Sequence, residues 1–319
     1  MTQASTIDLV RTAVSAGDGG ALRIGRPMHA GALTVFPLYH AAPPSAYLLY
    51  TDHGVGAKVQ VTEVDEDGSV PDLSVTNHLA MPVLLVEGEI LVGLKQNRVL
   101  TASVLVPAGA TTLIPVACVE AGRWRRSRAA VRRDDYLLSP RVRADKNLSV
   151  QRSLRVAAGH RADQGAVWAG VDGTLTAHGL ESATFAYSEL HRGRGGDIGT
   201  LVTGLHPRRG QRGVVAAVGG EVVCLDLFDR GRTLRHLWPA LIGSYAAEAL
   251  LEGGCDLRPL GRRDVLAWLS GLAAAEATVH PAPGLGETVA LTAEHVAATA
   301  LVDGGTVVHL TAFPAGELR

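Results

Sequence analysis

Lys95, Gln96, Asn97 and Arg98 follow the apolar run EILVGL and precede the apolar run VLTASVLV, so the loop between two strands carries ammonium, amide and guanidinium donors. Donors in that mixture suit a polar, anionic ligand. Glu87 stands just ahead of this stretch, and Cys118 and Glu120 close the next apolar run, TTLIPVACVE, before Arg123 and Trp124. Glu120, a carboxylate at a strand end, is the candidate general acid or base. Glu87, Gln96, Asn97, Arg98, Arg123 and Trp124 are the candidate ligand-binding residues, with Arg98 and Arg123 offering planar forks for phosphate. The competing reading is a loop whose Asn and Gln satisfy buried backbone groups.

A second constellation comes from an internal similarity. Residues 219–228, GGEVVCLDLF, align without gaps on residues 304–313, GGTVVHLTAF, with six identities in ten positions. The two hairpins are expected in one sheet. Side chains alternate along a strand, so Cys224 and Asp226 share a face and His309 occupies the equivalent face of its own strand. A Cys near a His that is oriented by a carboxylate would be a nucleophilic site. Against it stands the common role of a strand Cys as a small buried hydrophobe.

Other chemistries are excluded by missing patterns. The stretch GRGGDIGT, residues 193–200, approaches a dinucleotide fingerprint but has Ile198 where the third glycine belongs, and no strand precedes it. The sequence contains no phosphate-loop, nucleophile-elbow or zinc-protease motif, and its 12 histidines show no pair at metal spacing. No metal and no cofactor are expected. The three cysteines give no disulfide framework, which points to a reducing, cytoplasmic setting, and the N-terminus has no signal-peptide pattern. The longest apolar runs are too short for a bilayer, so no membrane association is expected.

Charge is unevenly placed along the chain. Residues 1–122 carry 6 basic and 11 acidic side chains, residues 123–212 carry 17 and 8, and residues 213–319 carry 7 and 12. The middle is therefore a basic block between acidic flanks. Of the 30 basic residues 27 are arginine, so the block suits phosphate or carboxylate recognition. It equally suits pairing with acidic flanks within a subunit or across a homo-oligomer. Nucleic acid is a poor fit, because only Trp124 and Tyr136 interrupt the arginine-rich stretch with rings.

The elements that must position these residues follow from 319 residues at 47% hydrophobic content and only 4% aromatic, a core built from Val, Leu and Ala. The periodicity predicts a β-rich α+β fold: an antiparallel sandwich-like N-terminal part over residues 1–125, a basic, irregular and helical connection over 126–212, and an α+β part with two hairpins and two helices over 213–319, all able to pack as one unit. Glu87-Gly88 reads as a hairpin turn. Asp163 caps a helix that buries Val167, Trp168 and Val171. A helix bearing Leu237, Trp238, Leu241 and Tyr245 needs Pro239 in its first turn, and a last helix starts with Asp264 as N-cap.

The run NHLAMPVLLVEGEILVGLKQNRVLTASVLVPAGATTLIPVACVEAGRW, residues 77–124, together with QGAVW, LDLFD, WPALIGSYAAEAL and VVHLTAF, resembles the ARG and rhodanese-phosphatase-superfamily-associated protein family, first class. Through the gene neighbourhoods for which that family is named, the resemblance implies a link to NAD-derived or ADP-ribose-type nucleotides, and it implies no particular reaction. Composition and resemblance together lead to recognition of an anionic, nucleotide-like small molecule, with hydrolytic or transfer processing left open. The alternative is a non-catalytic oligomeric scaffold or assembly protein.

Overall fold

A computed structural model describes residues 2–17, 19–64, 71–122, 131–252 and 260–316. The first half of the chain forms α1 (Gln3–Val14), β1 (Leu22–Ile24), β2 (Met28–Ala30), β3 (Leu33–His40), β4 (Leu48–Leu49), β5 (Val59–Glu63), β6 (Asp72–Asn77), β7 (Val83–Leu85), β8 (Glu89–Val92), β9 (Arg98–Leu100), β10 (Val104–Val106), β11 (Thr111–Cys118) and β12 (Arg132–Leu137). Three helices follow: α2 (Pro140–Arg155), α3 (Gln164–Ala177) and α4 (Ser188–Leu201). The remainder is β13 (Gly213–Val218), β14 (Glu221–Phe228), α5 (Gly231–Ala249), α6 (Arg262–Ala274), β15 (Glu276–Pro281), β16 (Glu287–Ala293), β17 (Val296–Asp303) and β18 (Thr306–Pro314).

The fold is β-rich α+β. Two sheets make the sandwich of the N-terminal part: β12-β8-β9-β11-β6-β5 and the short β10-β7-β4, in which only the β4–β7 pair is parallel. Leu73, Val75, Leu100, Ile114 and Val116 from the first meet Val83, Leu85, Val104 and Val106 from the second. The third sheet has nine strands in the order β1-β3-β13-β14-β18-β17-β16-β15, with β2 also on β3. Its β3–β13 pairing joins residues 33–38 to residues 213–218, so early and late parts of the chain share one sheet.

Alternation gives this large sheet two distinct faces. Leu225, Leu227, Leu310 and Ala312 point to a layer shared with Val10 and Val14 of α1 and Val265, Leu269 and Leu272 of α6. Phe228 and Phe313 point the other way, toward Leu234, Leu237, Trp238, Leu241 and Tyr245 of α5. The matched hairpins do lie together: β14 and β18 are antiparallel neighbours, with Asp226 opposite Thr311 and Phe228 opposite His309.

Local expectations were met in part. Asp163 caps α3 by accepting from the Ala166 N–H at 3.1 Å, but Trp168 is exposed and Thr174 and Leu175 continue the buried stripe instead. Gly88 does turn the chain, at φ +86°, yet β7 and β8 are not partners: each strand pairs in a different sheet. Helix α5 begins at Gly231, eight residues before Pro239, so the proline lies inside the helix rather than in its first turn. Asp264 is at the third position of α6, where its carboxylate accepts from the N–H of the true N-cap, Gly261, at 2.8 Å. GRGGDIGT is mid-helix in α4, so its glycines form no phosphate loop.

Candidate functional site

Two polar regions stand out, one sealed and one open to a cleft. The sealed one is organised by the turn at Gly88. Because Gly88 has no Cβ, the guanidinium of Arg143 can pass over it, and an added Cβ would sit 2.8 Å from Arg143 Nε. Arg143 lies in the first turn of α2 and is fully buried. It donates to Glu87 Oε2 from NH2 at 2.7 Å and from Nε at 3.0 Å, and to both oxygens of Asp226 at 2.7 and 3.1 Å. One helical turn on, Lys146 closes on Glu87 Oε1 at 2.5 Å. Two cations thus meet two carboxylates, the arrangement that burial of charge demands. Burial by itself raises the Glu87 and Asp226 carboxyls, and the Arg143 charge, with Lys146 helping Glu87 and His309 helping Asp226, reverses that and holds both below the ordinary carboxylate range.

The predicted Cys224, Asp226 and His309 do gather on this network. Cys224 Sγ lies 3.2 Å from Asp226 Oδ2 as a donor, and burial, reinforced by the Asp226 charge, pushes the thiol well up, away from thiolate. It does not hydrogen-bond His309. Instead His309 Nε2 lies 3.3 Å from Asp226 Oδ1 while its Nδ1 lies 2.7 Å from Ser103 Oγ. Tyr245 of α5 donates to Asp226, and the Glu87 N–H donates to Ser103 Oγ at 2.9 Å. Sequence reasoning missed Arg143, Lys146, Ser103 and Tyr245. A signal existed: Arg143, Lys146, Asn147, Val150, Gln151 and Leu154 fall at helical spacing, and all six are buried.

The KQNR loop splits between interior and surface. Arg98 is fully buried, donating to Gln96 Oε1 at 2.8 Å and contacting Cys118, whose thiol donates to the same Gln96 oxygen at 2.9 Å. Burial pushes the Cys118 thiol up to about 11 despite Arg98. Gln164 at the start of α3 then clamps the end of β11, donating to Cys118 O at 2.9 Å and accepting from Cys118 N at 2.7 Å. These side chains fix the loop. Asn97, half-buried, and Glu120, buried, line a cleft of about 550 Å³, with the Asn97 N–H donating to Glu120 Oε2 at 3.3 Å. Arg123 and Trp124 lie outside the described residues. Glu87, Gln96 and Arg98 are not among the residues that line this cleft, so the six candidates do not form one concave surface.

The other walls of the cleft come from Arg132, Asp134, Asp135 and Tyr136 of β12, from Thr184, and from Glu189, His191 and Arg192 of α4. The Tyr136 and His191 rings stack, with centroids 3.3 Å apart and planes within 5°, and Tyr187 meets His191 edge-on at 5.6 Å. His191 is nine-tenths buried, and neither ring nitrogen has a hydrogen-bond partner among the described residues. Burial, with a smaller push from His178, lowers it to about 3, so the ring is neutral and one nitrogen is a bare acceptor. Arg192 is held by both oxygens of Glu189 at 2.7 and 2.9 Å. Gly122, the last described residue before the basic run, packs on Thr184 at the rim, its N–H donating to Thr184 O at 3.0 Å. Among the described residues no group of three His, Cys, Asp or Glu side chains could hold a metal ion. Among them, too, no helix is long and apolar enough to cross a membrane.

Neither the curated proteins nor the solved structures provide a match to this chain. The family comparison does: the model of the ARG and Rhodanese-Phosphatase-superfamily-associated Protein domain matches residues 21–313, from just before β1 to Phe313 in β18. The chain belongs to that family.

Proposed function

We propose that the protein binds an anionic, nucleotide-like small molecule in the cleft between the β11 end, β12 and α4. The observation that carries this reading is His191: a buried imidazole stacked on Tyr136, with both nitrogens lacking a hydrogen-bond partner among the described residues, on the wall of a 550 Å³ cleft. Leaving a buried polar group unmet costs about 1–3 kcal/mol, a cost that a ligand hydrogen bond recovers. The rest of the lining suits a molecule that combines phosphate, ribose and a planar base. Arg132 and Arg192 supply guanidinium donors, Asp134, Asp135 and Glu189 supply acceptors for hydroxyls, and the stacked rings supply an aromatic wall. Glu120, beside Asn97, is the carboxylate placed to move a proton if binding leads to hydrolysis or transfer.

Thermal unfolding in the presence of ADP-ribose, NAD, AMP and ribose 5-phosphate tests the reading. A ligand present at about 100 times its dissociation constant adds roughly 2.7 kcal/mol to stability, and that gain should fall to roughly 1.4 kcal/mol or less in His191→Ala. No shift with any of the four, together with an oligomer distribution that changes with salt, would overturn the binding reading in favour of an assembly protein whose basic block pairs with acidic flanks.

A further inference from the structure

We propose that Phe185, at the rim of the cleft, is a specificity-determining residue whose ring stacks on the planar base of the ligand. The inference rests on the binding reading above and names the group that selects the base. Among the described residues two non-glycine side chains sit on left-handed backbone, Ala157 at φ +56° and Phe185 at φ +49°. Ala157 has an ordinary reason. It follows the C-cap of α2, where its N–H donates to Leu154 O at 3.0 Å and the Ala158 N–H donates to Ser153 O at 2.9 Å, the two bonds that close a helix on a left-handed residue. Phe185 closes no helix. A side chain with a Cβ crowds the following carbonyl at such a φ, and a bulky one is rarely found there, so the surrounding chain must hold it.

The ties that hold it flank it on both sides. Before it, Thr184 O accepts from the Gly122 N–H at 3.0 Å; after it, the Tyr187 N–H donates to Val119 O at 3.0 Å, so the segment is laced to the end of β11. Ser182 adds a brace, its Oγ accepting from the Ala186 N–H at 3.0 Å and its carbonyl from the Phe185 N–H at 3.4 Å. All of this fixes a ring that faces water: Phe185 is 47% exposed, and no described ring stacks on it. Packing therefore does not account for the strain. Position does, because Thr184 and Ala186, the residues on either side, both line the cleft. Backbone strain that the surroundings enforce is characteristic of ligand clamps. The Tyr136 and His191 rings in the wall each give one face to the other, whereas Phe185 keeps its exposed ring for a base, a contact that every nucleobase can make.

The test is titration of AMP and of ADP-ribose into the whole wild-type protein and into Phe185→Tyr, Phe185→Leu and Phe185→Gly. The expected result is affinity within about threefold of wild type in Phe185→Tyr, which keeps a ring, and at least about tenfold weaker in the leucine and glycine variants, which lose it. Without ligand, Phe185→Gly should unfold at a temperature no lower than the wild type, because glycine takes φ +49° without strain. Phe185→Trp gives a second reading, an indole emission that AMP quenches saturably and beyond any change in the wild type. Affinity unchanged in Phe185→Leu, with His191→Ala weakened, would overturn this inference and leave the cleft reading standing. An unliganded Phe185→Gly that unfolds more than about 4 °C below the wild type would also overturn it, since the ring would then be a structural prop. If neither AMP nor ADP-ribose binds the wild-type protein, the cleft reading and the inference fall together.

Discussion

The two polar regions use the same residue types to opposite ends. Around Arg143 every charge meets a counter-charge: Glu87 with Lys146 and Arg143, Asp226 with Arg143, all at or below 1% exposure. Around His191 an imidazole is buried with neither nitrogen bonded to a described residue, at the edge of an open cleft. The difference separates a device that holds elements together from one that waits for a molecule. The ion network ties three parts of the sequence, the Gly88 turn, α2 and the β14–β18 pair, into one position. The cleft joins its walls by ring stacking rather than by paired charges, and the unmet hydrogen-bonding capacity of His191 is what a ligand would use.

Glu87→Gln attacks the sealed region and carries the largest effect. It leaves Lys146 and half of the Arg143 fork without a counter-charge, which should lower the free energy of unfolding by about 3–5 kcal/mol in a denaturant titration. Acid separates the regions next. Burial lowers His160 to about 4 and His191 to about 3, so the folded chain refuses protons that the unfolded chain accepts near 6.5. The stability each contributes is full above pH 6.5 and declines below it, by about 2 kcal/mol per histidine at pH 5. His191→Gln should remove only its own share of that slope, measured by thermal unfolding across the pH range. Gly88→Ala carries the smallest effect, about 1–2 kcal/mol, from a backbone at φ +86° and the contact with Arg143 Nε. If Gly88→Ala proves as damaging as Glu87→Gln, the turn rather than the charge balance dominates the sealed region.

How much of this was legible follows the kind of signal each element carries. The strands announced themselves through apolar alternation, and the GGEVVCLDLF and GGTVVHLTAF similarity correctly placed Asp226 and His309 on neighbouring strands. Helix α2 did not, because its buried face is Arg143, Lys146, Asn147 and Gln151, polar residues whose partners lie far away in sequence. Asn147 donates to Thr299 and Gln151 to the carbonyl of Ala298, contacts that exist only after the sheet has formed. For the same reason Ser103 was invisible, an ordinary serine until His309 arrives from 206 residues away. In the KQNR loop the residue types are plain in the sequence, but which of them turn inward depends on Cys118 and Gln164, again a tertiary matter.

Ligand binding in the cleft around His191 is tested most directly by isothermal titration of ADP-ribose into the wild-type protein and His191→Ala. The prediction is measurable binding to the wild type, weakened at least about tenfold in the variant, the loss of roughly 1.4 kcal/mol expected for one hydrogen bond. Affinity equal in the two proteins would contradict it.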